Sequence, residues 1–177
     1  MSLKELTKDR HHIAETTDFM KAVFSGNMPM SLWANYTKNR AIWYSAIEHM
    51  AKRYGLFHDL PGIERTKLLL SDYLEMTLGV IHPGEMSAVI EYHDYIMNLD
   101  SADRIMAHVY TWHMGDLYGG QMIKKMIYAP STSLDFENAD LLKMNIRNKL
   151  KDSMADEANC AFDWAIKILN GYGIENE

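Results

Sequence analysis

The segment PMSLWANYTKNRAIWYSAIEHMAKRYG, from Pro29 to Gly55, carries the plainest structural signal in the chain. Trp33, Tyr36, Arg40, Trp43, Ile47, Met50 and Tyr54 recur at spacings of three and four, the period of one helix face. Pro29 suits a first helical turn, where its missing N–H costs nothing, and Gly55 suits the stop. The spacing predicts one long helix with an aromatic face and an arginine embedded in it. On either side the same period returns. Ser2 with Glu5 is a capping box that opens a first helix towards Glu15. Thr16-Thr17-Asp18 offers caps for a short second helix, closed by Ser25-Gly26-Asn27. Pro61-Gly62 is expected to begin a helix towards Gly79, and Pro83-Gly84 another through Leu99. Asp100 or Ser101 would cap the next, which runs through Ile105, Val109, Tyr110 and Trp112 into three glycines. Pro130-Ser131-Thr132-Ser133 reads as a loop. Two helices follow, the last expected from about Ala155 to Asn170, before Gly171 and Gly173. Strand signals are weak, with no Asn-Gly or Asp-Gly hairpin turn. The expectation is an all-α, single-domain bundle of about eight helices over residues 1–177.

Composition narrows the class. Of 177 residues, 47% are hydrophobic, enough for a real core and too many for a disordered chain. No apolar run approaches the roughly 20 residues that span a bilayer, and the first residues turn charged at once. The expectation is a soluble, cytoplasmic protein. A single cysteine, Cys160, forbids an internal disulfide and any multi-cysteine metal or cluster site. The formal net charge of -6 argues against a general nucleic-acid binder, which needs a basic surface. Positive charge is nevertheless clustered, at Lys4, Lys8 and Arg10 and again at Lys143, Arg147, Lys149 and Lys151. Such clusters are ordinarily solvated helix faces.

Most signatures of enzyme chemistry are missing. None of the eight histidines has a glutamate three residues before it, as a carboxylate-bridged di-iron bundle needs. No His-x-x-x-His pair, phosphate-cradling glycine loop or serine nucleophile elbow occurs. Two segments remain. In Leu3 to Glu15, His11 and Glu15 are four apart and share one helix face, where a carboxylate can orient an imidazole and raise its basicity as a metal ligand. The same pattern also fits one histidine packed beside a core and its neighbour His12 exposed. In Tyr110 to Gln121, three glycines fall within six helical residues, at a cost of roughly 1 kcal/mol each relative to alanine. Gly115 and Gly119, one turn apart, strip side chains from one face so that a flat object can touch the backbone. Close helix packing, a kink or a helix end would account for them equally well. Asp116 beside that face suits either a water network or plain exposure.

Taken together, a histidine ligand on one helix and a glycine-bared face on another are what a planar metal macrocycle between two helices requires. The chain resembles the heme oxygenase family. Residues Leu3 to Glu15 match its opening pattern Leu-Lys-Glu-x-Thr-x-x-x-His-x-x-Ala-Glu. Residues Tyr110 to Gln121 match its distal pattern Tyr-Thr-x-x-x-Gly-Asp-Leu-x-Gly-Gly-Gln. Weaker matches cover Tyr44 to Glu48 and the stretch from Lys143 through Phe162. The resemblance implies heme (iron protoporphyrin IX) as both substrate and cofactor, sandwiched between a proximal and a distal helix. His11 would ligate the iron through one ring nitrogen, with Glu15 on the other. Gly115 and Gly119 would form the distal wall. Asp116 would hold waters that deliver protons, with Tyr44 and Tyr110 extending that network. Lys4, Lys8, Lys143 and Arg147 would meet the propionates, a role to which arginine's planar fork is suited. The implied reaction consumes O2 and electrons and yields biliverdin, most commonly the IXα isomer, with CO and ferrous iron.

The sequence departs from the family at three points in the distal motif. Trp112 and His113 stand where many members carry a basic residue and a tyrosine, and Tyr118 replaces a small residue. The short form is similar to those of bacteria, algae and phages of phototrophs, in which ferredoxin often supplies electrons. Lys124 and Lys125 with Lys149 and Lys151 would then be a docking patch, and a bilin reductase would be a downstream partner. Three other readings compete: a heme carrier or sensor that leaves its ligand intact, another enzyme on the same scaffold such as a thiamin-pyrimidine hydrolase, and a helical interaction module. The intact Gly-Asp-Leu-x-Gly-Gly run speaks against the carrier, since binding alone has no use for Asp116.

Overall fold

The computed structural model describes residues 2–174, and among these every regular element is helical. The order is α1 (Leu3–Glu15), α2 (Asp18–Phe24), α3 (Met30–Arg53), α4 (Thr66–Met76), α5 (Ser87–Met97), α6 (Ala102–Val109), a π-helical turn (Tyr110–Met114), α7 (Gly115–Met126), α8 (Ala139–Lys149) and α9 (Ala155–Asn170). Because α6, the π turn and α7 follow without a break, the chain builds eight rods among the described residues. No helix among them is long and apolar enough to cross a membrane.

The long helix α3 is the axis of the bundle. It packs against α4, α5 and α6, while α9 closes the other side against α1, α2, α5 and α6. Trp43, Tyr44, Ile47 and Met50 of α3 are buried to within about one per cent, as are Phe19, Tyr92, Ile105 and Met106 from three neighbouring helices. The predicted aromatic face is therefore the core, with Trp43 against Trp112 at a centroid distance of 4.7 Å.

Local chemistry sets most boundaries. Ser2 accepts the Glu5 amide while Glu5 accepts the Ser2 amide at 2.7 Å, which completes the capping box. Thr17 caps α2 and Ser101 caps α6. Two predicted starts are corrected. Helix α4 begins at Thr66 rather than at Pro61-Gly62, because Gly62 takes a left-handed φ of 74° and Leu60 and Ile63 are buried in the turn. Its cap comes from α3: Glu48 accepts the backbone amides of Arg65 and Thr66 and the Thr66 hydroxyl. Helix α5 begins at Ser87, after Gly84 at φ 126° and a Lys38–Glu85 ion pair of 2.9 Å that ties the loop to α3.

Candidate functional site

The π turn is the first departure from regular helix, and it ends at Gly115. Such turns concentrate at functional sites, since they rotate the following residues out of the register an α-helix would give them. Past the turn, α7 presents Asp116 towards α3. Its Oδ2 accepts a hydrogen bond from Arg40 Nη2 at 2.5 Å and another from Tyr44 Oη at 2.5 Å. Arg40 and Tyr44 are one turn apart on α3, so both reach the same carboxylate. The Arg40 guanidinium also lies 5.7 Å and 5.4 Å from the ring centres of Tyr36 and Tyr44. Burial, reinforced by Asp116, pushes the Tyr44 phenol well above its usual range, so it stays protonated and donates. Burial works against the Arg40 charge, but Asp116 and Tyr44 outweigh it and hold the guanidinium protonated.

The glycines beside Asp116 divide into two kinds. A Cβ added at Gly115 or at Gly119 would meet nothing within 4 Å, whereas one at Gly120 would press on Leu134 at 3.4 Å. Helix packing therefore accounts for Gly120 alone, and the face of Gly115 and Gly119 is bare and open. Between them Tyr118 is half exposed, and over its ring stand Lys143 Nζ at 4.7 Å and Arg147 at 5.5 Å. The aromatic residue at 118 thus gathers two α8 cations beside the open face.

On α1, His11 Nε2 lies 3.2 Å from Glu15 Oε1, and both side chains are about half exposed. The ring packs edge-on against Phe162 of α9, with centroids 5.5 Å apart. One ring nitrogen thus faces the carboxylate, as the one-turn spacing predicts. Thr7, one turn earlier, meets the Tyr110 hydroxyl at 3.3 Å. That contact pins α1 to the π turn one turn from His11 on one side and one turn from Gly115 on the other. Lys4 and Lys8 are exposed on the same helix.

The sequence-predicted residues thus assemble in part. Asp116 and Tyr44 meet, His11 and Glu15 meet, and Lys143 and Arg147 converge. Tyr110 does not join the Asp116 network, because its hydroxyl is turned to Thr7. Of the four lysines of the predicted docking patch, Lys124 is held by Asp135 at 2.7 Å, Lys149 by Asp59 at 2.8 Å and Lys151 by Asp103 at 2.8 Å, so much of its charge is neutralised. Trp112 donates to Tyr92 Oη at 2.8 Å and turns into the core. His113 is fully buried, and neither ring nitrogen has a hydrogen-bond partner. In the sequence Arg40 stands out only as a charge embedded in the aromatic face; its place one turn before Tyr44 is the signal that it shares that residue's partner. A separate apolar groove of about 460 Å³ opens on the opposite face of α3, lined by Ala41, Ile42, Leu70 and Tyr73. It contains none of these side chains, and its buried lysine, Lys38, is already held by Glu85 and the His82 carbonyl.

Comparison with known proteins agrees with this geometry. The family model described as "Heme oxygenase" matches residues 1–140. Heme oxygenase 2 of Macaca fascicularis is 29% identical over 201 residues, which cover 95% of this chain and 63% of that protein. Heme oxygenase 1 of Synechocystis sp. is 26% identical, covering 95% of this chain and 82% of the relative. The chain thus spans rather less than two thirds of the length of the mammalian relatives it matches. Among solved structures, heme oxygenase-1 from Synechocystis in complex with heme superimposes with a TM-score of 0.84 at 24% identity, over 96% of this chain and 89% of that one. The Leptospira interrogans enzyme gives 0.84 at 21% identity, over 97% of this chain and all of that one. With a family model covering well over half its length, both motifs in place and the fold shared, the chain belongs to the heme oxygenase family.

Proposed function

We propose that the chain opens heme oxidatively to biliverdin, releasing CO and ferrous iron. The observation that carries this is the open face of Gly115 and Gly119 beside a carboxylate held by two buried donors. A carrier needs the bare face but not the carboxylate. Bound heme would supply the iron that activates O2 and would itself be the molecule cleaved.

The protein's share is positional. His11 holds the iron from the α1 side, and Glu15 fixes the ring and keeps it basic. The missing side chains at Gly115 and Gly119 let the macrocycle and a small second ligand lie against backbone. Asp116 is the proton-handling group, and Tyr44, protonated through the working range, is its donor. Lys143 and Arg147, assembled on Tyr118, and Lys4 and Lys8 on α1 meet the two propionates. That pairing sets which edge of the ring faces Asp116, with IXα as the expected isomer. Electrons come from a reductant such as ferredoxin, docked on the side of Lys125 with its partly neutralised neighbours, and a bilin reductase takes the product.

The test is an aerobic absorption time course with one equivalent of hemin, before and after adding ferredoxin with its reductase. Loss of the Soret band with growth of a broad red absorption is the expected result, and His11→Ala should abolish the histidine-ligated spectrum. A Soret band that survives reduction in air would replace this reading with that of a carrier.

A further inference from the structure

Asp116 can act on pocket water only if its carboxylate is held at one rotation about Cβ–Cγ. The position one turn before it that could have supplied a cation on the same rod, Trp112, does not: its indole is turned to Tyr92 and Trp43. The charge arrives from another helix. Arg40 interrupts the aromatic face of α3, and its side chain is only 4% exposed. Buried ion pairs add little stability over an apolar residue of the same volume. This one is worse placed than most, because Arg40 Nε has no hydrogen-bond partner at all. A packing role would therefore favour methionine or leucine at this position. What the guanidinium does achieve is geometric. Its Nη2 and the Tyr44 hydroxyl both occupy Oδ2, and Oδ1 takes part in neither bond.

We infer that Arg40 is the positioning residue for Asp116: by taking Oδ2 together with Tyr44, it fixes the carboxylate's rotation and leaves Oδ1 as the acceptor for water beside the Gly115–Gly119 face. The inference deepens the heme oxygenase reading and rests on it for the identity of the pocket. It predicts that Arg40 has no effect of its own once Asp116 is silenced.

A double-mutant cycle tests this on the heme-loaded protein, with Arg40→Met, Asp116→Asn and the pair. The readouts are the biliverdin-forming rate and the infrared C–O stretch of the ferrous carbonyl complex, which senses the field of nearby protein groups. Arg40→Met should bind heme within about threefold of wild type, lower the rate by about tenfold or more, and move the C–O band. The double variant should match Asp116→Asn in both readouts. Arg40→Lys restores the charge without the fork and should recover part of the rate; it also serves if the methionine variant does not fold. Equal rates and bands in wild type and Arg40→Met, or additive losses in the pair, would overturn the inference. Should the wild-type chain bind heme without opening it, the proposed function falls, while the C–O band still reports whether Arg40 acts through Asp116.

Discussion

His108 and His113 are both completely buried, five residues apart on one continuous rod, yet their surroundings are opposite. His108, before the π turn, is saturated: Nδ1 meets Tyr92 Oη at 2.6 Å and Nε2 meets Glu157 Oε1 at 2.9 Å. The Glu157 carboxylate also accepts from Tyr95 Oη at 2.7 Å and from Arg104 Nε at 2.7 Å. His113, inside the turn, has the Tyr44 ring at 4.8 Å, the Phe57 ring at 5.8 Å and Glu48 Oε1 at 3.8 Å, but no hydrogen bond. A polar group that is fully satisfied in a core holds structure together, whereas one left short costs free energy and survives where something other than stability is served. Three orphaned groups, Arg40 Nε, the Trp43 indole and His113, lie around the Tyr44–Asp116 pair. The rod thus changes from scaffold to site across five residues.

The largest effect should come from breaking the saturated side. His108→Leu roughly conserves volume but takes one partner each from Glu157 and Tyr92, and should cost about 3 kcal/mol in urea unfolding. A cost below about 1 kcal/mol would mean that the network is ornamental. Acid should expose the same network. Burial alone would raise Glu157, but hydrogen bonds from His108, Arg104 and Tyr95 outweigh it and bring its pKa from 4.5 to about 2. A carboxylate lowered in this way stabilises the fold above its unfolded value, and that gain is lost as pH falls from about 4.5 towards 2. Burial also lowers His108 from 6.5, so protonation of the unfolded chain begins to erode stability below that pH. Glu157→Gln should flatten the lower part of the stability curve, removing a fall on the order of 2–3 kcal/mol. The smallest effect belongs to the unsaturated side. His113→Leu should cost less than about 1 kcal/mol, because it removes only the long 3.8 Å contact with Glu48, whose carboxylate keeps the Arg65 and Thr66 donors. A loss as large as that of His108→Leu would erase the contrast between the two histidines.

How legible this was depends on how local the cause is. Helix α9 runs from Ala155 to Asn170 as expected, stopped at Gly171, and α1 follows from Ser2 and Glu5 alone. Helices α4 and α5 start late because their entry is governed by Glu48 and Lys38, side chains of a different helix that no local pattern reveals. The site follows the same rule. The one-turn spacing of His11 and Glu15 was readable and so was the bare face. The partner of Arg40 lies 76 residues away, and only the packing of α7 on α3 brings the two together. Tyr110 failed for the reverse reason, since its motif position said nothing of the Thr7 hydroxyl beside it.

Tyr118 has a mechanical consequence. It sits on α7 between the two bare glycines, and its exposed ring carries the Lys143 and Arg147 heads from α8. Substituting that one ring would therefore loosen both α8 cations at once while leaving the glycine face as it is. Admitting a flat dianion and setting its angle would then be separable by mutation, the first belonging to Gly115 and Gly119 and the second to position 118.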